Sequence, residues 1–284
     1  MTKQNTVKWF IEDIANDDST KELIQAARDL GYDVKEADLA NPCDEYTDYF
    51  EQDSCVVAQT SIQSAERICK YTDWLPAIWD NVEQFSCKYY YQFFGDYLFN
   101  DKYIMLPLGE VERRLDDLYD WLGSYETIFI RPSSGRKTFT GQLFERKHFH
   151  KDWHAVIGYG GQPTDLVVAS TPKVILGEYR YVIGDRKIIA SSQYSWDGKP
   201  NRKEAPGHLN AFVDRVLADT TDYNPCSVWI LDVCLDAGMK PYVLEVGAFS
   251  CSGLYACDKK KIVEGVSEIA LREYKEFSPT FITD

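Results

Sequence analysis

With 44% hydrophobic and 14% aromatic residues among its 284, the chain carries enough apolar surface for one large core or two to three small ones, which excludes general disorder. Its formal charge of −14 excludes a broad, non-specific nucleic-acid-binding surface, while leaving room for a local cationic groove. No apolar run reaches transmembrane length, and Met1-Thr2-Lys3-Gln4-Asn5 leads into no signal-peptide core. A soluble, cytoplasmic protein with neither membrane nor nucleic acid as partner is therefore expected.

Residues 1–62 alternate strand and helix signals. Val7 to Ile11 is an apolar run. Asp18-Ser19-Thr20 can cap a helix whose Leu23, Ala26, Ala27 and Leu30 share one face, and Gly31 ends it. Tyr32-Asp33-Val34 and Cys55-Val56-Val57-Ala58 read as further strands, giving a small open α/β layer. Residues 63–125 look helical and aromatic, with one segment starting at Trp74 and Pro76 placed in its first turn. Tyr89 to Phe94 reads as a hydrophobic linking layer, since no Lys/Arg run is interleaved with it. Val111, Leu115, Leu118 and Leu122 mark an amphipathic helix ending at Gly123.

From residue 126 the grammar changes to strands: Thr127–Arg131, Gln142–Glu145, Leu166–Ser170, Glu178–Ile183, Lys187–Tyr194, Val228–Leu235 and Tyr242–Val246. His208–Leu217 and Lys261–Tyr274 read as helices. This is an α+β pattern, largely antiparallel, behind a small α/β region. The cluster His148, His150 and His154 lacks the Glu of a metalloprotease pattern and reads as a solvated connection. Eight cysteines are scattered without a Cys-x-x-Cys pair, as expected of reduced, mostly buried thiols.

Two segments carry chemistry. Phe129 to Gly141 is an apolar strand ending in Arg131-Pro132, followed by a small-residue loop with Arg136 and Lys137. Such a hairpin can lay flexible backbone and positive charge over a polyphosphate. Asp232 and Glu245 are lone acids in runs of Val, Ile, Leu and aromatics. An ionised acid there needs a cation or a hydrogen-bond network, and two facing carboxylates suit magnesium. A surface hairpin with solvated cations is the alternative for the first segment. Arg180 lies two residues after Glu178, on the same face of a strand, so an ion pair between them is also open.

The ordered set Ile130-Arg131-Pro132 to Phe144, Gly177 to Val182, Ala190 to Tyr194, and Leu244-Glu245-Val246 through Asp258 resembles the ATP-grasp superfamily of carboxylate–amine ligases. The closer likeness is to a small bacterial and phage-associated group with arginine where most relatives have a phosphate-binding lysine. The resemblance spans about residues 85–265. It implies an ATP-grasp fold of class α+β, with a small N-terminal α/β region over 1–84 and an ATP-binding and catalytic region over 85–284. It also implies ATP and Mg2+ as cofactors, with small-molecule or peptide carboxylates and amines as substrates.

Residue by residue, the resemblance makes Arg131 and Lys137 the phosphate cations and puts the adenine edge on the main chain of Ala169 and Ser170. It puts the ribose on Glu178 and the transferring phosphoryl or acyl phosphate on Arg180, with Arg180 and Lys137 catalytic. Magnesium falls to Asp232 and Glu245, and substrate to Ser252, Tyr255 and Asp258. Asp258 has a competing reading as the cap of the following helix. Gly247 stands where many relatives carry a metal-ligating Asn, a departure for which Ser250, Ser252 or water could compensate. It keeps open an alternative: a catalytically degenerate protein acting as a nucleotide-binding or interaction module.

Overall fold

The computed structural model describes residues 6–13, 18–38, 48–136, 138–158 and 160–278. In chain order its elements are β1 (Val7–Asp13), α1 (Asp18–Asp29), β2 (Asp33–Asp38), β3 (Cys55–Gln59), α2 (Ile62–Tyr71), β4 (Leu75–Ala77), α3 (Cys87–Phe94), β5 (Tyr103–Pro107), α4 (Leu115–Leu122), β6 (Thr127–Pro132) and β7 (Gln142–Glu145). They continue with α5 (Phe149–Ile157), β8 (Leu166–Ser170), β9 (Ile175–Gly184), β10 (Lys187–Trp196), β11 (Lys199–Lys203), α6 (Gly207–Asp219), β12 (Val228–Asp236), β13 (Pro241–Ala248) and α7 (Lys259–Phe277). Two compact units result: Met1–Asn81 with Gly177–Val233 and Glu245–Asp284, and Val82–Leu176 with Cys234–Leu244.

In the first unit, β2-β1-β3-β4 form an all-parallel sheet. Alternation along β1 assigns its two faces. Val7, Trp9 and Ile11 join Leu23, Ile24 and Ala27 of α1 and Ile262, Val263 and Val266 of α7 in one core. Phe10 turns the other way, with Val56, Ala58, Ile68 of α2 and Trp74. Helices thus cover both faces, as a parallel sheet requires. Trp9 reaches α7 as well, its indole N–H donating to Ser267 Oγ at 3.0 Å inside the core. The second sheet has the order β11-β10-β9-β12-β13, and Val182, Ala190, Val228 and Ile230 bring it into the first core. The second unit is built on the antiparallel order β5-β8-β6-β7. Its core joins Ile128, Ile130, Phe144, Val167 and Ala169 to Leu118 and Leu122 of α4 and to Phe149 and Trp153 of α5.

Two readings from sequence are corrected. The segment at Trp74 is no helix. Leu75–Ala77 pairs in parallel with Cys55–Val57 as the edge strand β4, a position where a proline costs no ladder hydrogen bond on its open side. The residues around His150 and His154 are helix α5 rather than a connecting segment, because Phe149 and Trp153 at i, i+4 are fully buried in the second core. The two histidines share the opposite face, where both meet Glu112 Oε1, at 3.0 and 3.2 Å. Strands β5 and β11 have no counterpart among the strands expected from sequence. The seven described cysteines are free thiols, and among the described residues no helix is long and apolar enough to cross a membrane.

Tyrosines are unusually prominent in both cores, and burial is the first cause raising the phenols of Tyr90, Tyr179 and Tyr181, and of Tyr119 to about 12. An unfolded chain ionises its tyrosines near pH 10, whereas the native state holds these protons longer. Their contribution to stability is therefore complete below pH ~10 and is lost as pH rises through the raised native values. The urea midpoint should be unchanged by phenol titration between about pH 7 and 9 and fall steadily above about pH 10, with tyrosinate absorbance appearing together with unfolding. A midpoint constant to pH ~12 would contradict this role of the buried phenols.

Candidate functional site

Arg180 and Asp232 occupy strands β9 and β12, neighbours in the five-stranded sheet. The arginine is 7% exposed and the aspartate 1%. Arg180 Nε donates to Asp232 Oδ1 at 2.9 Å and Nη2 to Oδ2 at 2.7 Å, the fork-on-carboxylate geometry that makes such pairs strong. Nη1 donates to the Gly253 carbonyl at 2.7 Å. Burial opposes the guanidinium's charge, but Asp232 outweighs it and holds Arg180 above its ordinary value. The ion pair left open with Glu178 does not form here. Asp232 faces Arg180 from the adjacent strand, while Glu178 accepts from the Tyr194 hydroxyl at 3.1 Å.

Tyr194 owes its position to a β-bulge. Gln193 pairs with Tyr179 and Ser195 with Glu178, so Tyr194 is the extra residue between them. Such an insertion re-aims a side chain at a site. The Tyr194 ring stacks on Tyr255 at 4.8 Å and 19°. Arg180 lies 5.6 Å from the first ring and 4.9 Å from the second, with Arg202 5.4 Å from the second on its own account. Burial raises the Tyr194 phenol well above its ordinary value, and Asp232, Glu178 and Glu245 each add to the shift while Arg180 opposes it. Four residues singled out in the sequence therefore act on one hydroxyl group. From sequence Tyr194 is only the end of a strand; nothing in the pattern announces its bulge.

The carboxylates can be tested against magnesium. Two of the lone-pair positions of Asp232 are taken by Arg180, which leaves others. Among the described residues no three His, Cys, Asp or Glu side chains form a metal-holding group. Asp232 and Glu245 thus fit an ion that draws most of its ligands from phosphate and water, as magnesium does, rather than an all-protein cage. Gly247 leaves space: a Cβ there would meet Ser252 Oγ at 3.9 Å. Of the two serines that could stand in for asparagine, Ser250 is fully buried and its Oγ accepts from Trp79 N at 3.1 Å. Ser252 Oγ, donating to Ala248 O at 2.7 Å, is the one beside Gly247. Asp258 is the N-cap of α7, its Oδ1 accepting from Lys261 N at 3.1 Å.

In the second unit Arg131 lies on β6 in register with Val168. Its charge reaches the Tyr90 and Tyr91 phenols, lowering what burial raises. Gly141 sits against it: a Cβ at 141 would come within 2.9 Å of both Arg131 Cβ and the Phe129 ring. Ser133 is tied down on three sides. Its N–H donates to Leu166 O, its carbonyl accepts from Cys87 N, and its Oγ accepts from Lys88 N. Ser133 thereby caps α3 from outside the helix. Lys88, Arg136 and Thr138 line a cleft of about 640 Å³ beside it, and neither of these two cations has a role in the reading from sequence. Lys137 lies outside the described residues. Ala169 is in register with Ile104 and Ile130, and Ser170 with Tyr103 and Phe129. Both thus lie in a strand paired on each side.

Comparison with known proteins agrees with this geometry. Residues 112–264, more than half of the chain, match a family described as an ATP-grasp domain, the second family of its clade. No curated protein matches by sequence. D-cycloserine synthetase DcsG superposes with a TM-score of 0.65 at 14% identity, covering 93% of this chain and 99% of that one. D-alanine–D-alanine ligase from Bacillus anthracis, complexed with ATP, gives 0.57 at 15% identity over 95% and 98%. The ATP-grasp ligase PsnB, complexed with a minimal precursor, gives 0.57 at 10% identity over 94% and 99%.

Asp232→Asn would keep shape while leaving the Arg180 charge buried against a neutral amide. Urea titration should show a loss of about 3–5 kcal/mol, and replacing both partners by apolar residues of similar volume should recover most of it. Equal losses in the single and double variants would mean that the pair itself, not the orphaned charge, carries the stability.

Proposed function

The chain belongs to this ATP-grasp domain family, and from this membership we propose that it is an ATP- and magnesium-dependent ligase joining a carboxylate to an amine. A carboxylate oxygen attacks the γ-phosphorus, ADP leaves, and an acyl phosphate forms. The amine nitrogen then attacks the acyl carbon, phosphate leaves, and the amine gives up a proton to complete the amide or peptide-like bond. The substrates are small molecules or peptides.

The observation that supports this reading most is the fork of Arg180 on Asp232, with Glu178 and Glu245 converging on Tyr194. Three bonds use one N–H each of Nε, Nη1 and Nη2, so two of the five guanidinium donors remain for an anion. A pre-oriented cation of this kind stabilises charge that develops on the transferring phosphoryl or on the acyl-phosphate oxygens without reorganising. Asp232 and Glu245 would hold magnesium, which supplies charge neutralisation at the phosphates.

Arg131, in the position where most relatives use lysine, contacts phosphate, joined by Lys137. Glu178 takes the ribose hydroxyls. The adenine edge goes to the end of β8 at Ala169 and Ser170. Ser252 and Tyr255 contact substrate, whereas Asp258 stays with its helix. In this reading residues 1–84 form the N-terminal region and 85–284 the ATP-binding region, and the chain sits with the bacterial and phage-associated group.

A second reading, a nucleotide-binding or interaction module without ligase chemistry, is favoured by Gly247 alone. Glu245→Gln separates the two: in the ligase it should abolish magnesium-dependent ADP release while leaving the circular dichroism melt unchanged. Full turnover in that variant refutes the metal assignment. Arg131→Lys should weaken ATP binding about tenfold, since a point charge replaces a planar fork; unchanged affinity and rate would remove Arg131 from the phosphate site.

A further inference from the structure

The first sheet has the order β2-β1-β3-β4, so β1 and β3 flank its topological switch point. In open α/β sheets a crevice opens there, outside the carboxyl ends of the strands. Both carboxyl ends carry a buried polar side chain. Glu12, on β1, is 4% exposed, and Gln59, the last residue of β3, is 8% exposed. Together with Ser19, Thr20 and the Cys251–Leu254 loop they line a cavity of about 210 Å³.

The electrostatics of this cavity are unbalanced. Among the described residues the partners of Glu12 are two neutral donors, Ser61 N at 2.7 Å and Ser64 Oγ at 2.6 Å. A carboxylate held away from water by neutral donors alone has unused acceptor capacity and favours a cation. Gln59 adds to the imbalance. Its Nε2 donates to Ser252 O at 2.5 Å, which fixes the amide orientation, because the flipped amide would set two oxygens against each other. Its Oε1 is buried with no hydrogen-bond partner. A negative group and an unsatisfied acceptor on one small cavity call for a ligand that is cationic and donates several hydrogen bonds. A primary ammonium meets both needs, and a cavity of this size suits a small molecule.

We infer that this cavity binds the ammonium of a small amino acid, the molecule whose carboxylate the ligase activates. This rests on the ligase reading for the fate of the carboxylate, but not for the binding of the ammonium. Beside Glu12 the amine stays protonated and non-nucleophilic, so the reacting group is elsewhere on the same molecule. The cavity wall points to where: Gly253 lines it and also accepts from Arg180 Nη1 at 2.7 Å. An amino acid anchored by its ammonium at Glu12 and Gln59 therefore has its carboxylate end toward the Arg180 side of that wall.

The test is calorimetric titration of the full chain, with and without MgATP, using the common L-amino acids, D-alanine and D-serine, and propionate as the ammonium-free control. At least one amino acid should bind saturably, with propionate more than about tenfold weaker, the loss expected for a hydrogen-bonded charge. Glu12→Gln and the similarly sized Gln59→Met should each weaken that amino acid about tenfold while MgATP binding is unchanged. Ligand-free Glu12→Gln should melt no lower than the parent, because it removes an uncompensated buried charge. A lower melt with unchanged amino-acid affinity would mark Glu12 as purely structural and overturn the inference. So would propionate binding as tightly as its amino analogue, or no amino acid binding up to ~10 mM, a weaker affinity than any specific site of this kind needs. Amino-acid binding without any MgATP binding would leave this site standing and remove the ligase reading instead.

Discussion

Both oxygens of Asp232 are taken by one guanidinium in a sheet whose surrounding side chains are Val, Ile, Leu and aromatics. Removing two ions from water costs several kcal/mol each, and their mutual attraction repays that only with near-ideal geometry and with the remaining donors satisfied. The rest of the first unit answers this constraint. Gly253 supplies an acceptor to the third guanidinium nitrogen, the bulge turns Tyr194 onto the site, and Tyr255 closes over it as the second ring. A hydrophobic pair of equal volume would be at least as stable there. Retention of the charges therefore fits a role in handling anions better than one in holding the fold.

The parallel sheet extends the same unit in a different manner. One face of β1 reaches α7 through Val7, Trp9 and Ile11, so the first strand and the last helix share a core. That packing sets Glu12 and Gln59 beside the Cys251–Leu254 loop, and Ser252 receives the Gln59 amide. Loop and strand ends are hydrogen-bonded to each other, Thr60 N to Ser250 O at 2.7 Å among them. Polar groups that would destabilise an isolated core are gathered where a ligand can satisfy them.

Much of this is legible in the sequence, for physical reasons. Strands buried on both faces leave uninterrupted apolar runs, so the lone acids Asp232 and Glu245 stand out, as does the spacing of Glu178 and Arg180. What the one-dimensional pattern lacks is partnership. Arg180 pairs across the sheet with a residue 52 positions away rather than with its neighbour on the same face. Tyr194 depends on a bulge, which alternation cannot announce. Pro76 looks like a helix start because its edge pairing with β3 is a tertiary fact. Helix α5 is hidden because its histidines draw attention from Phe149 and Trp153, the residues that bury it. Glu12 shows the same lone-acid pattern as Asp232, in Trp9-Phe10-Ile11-Glu12, but Asp13 beside it makes the run look like a strand end reaching solvent.

The most direct measurement is the thermal melt of the purified chain with ATP alone, magnesium alone, and both. If the carboxylates and Arg180 serve a magnesium–nucleotide, only the combination raises the melting temperature strongly, by the equivalent of about 3–4 kcal/mol when ligand is present at about 100–1,000 times its dissociation constant. No shift with any nucleotide, with or without magnesium, would contradict the account and leave the fold without its ATP chemistry.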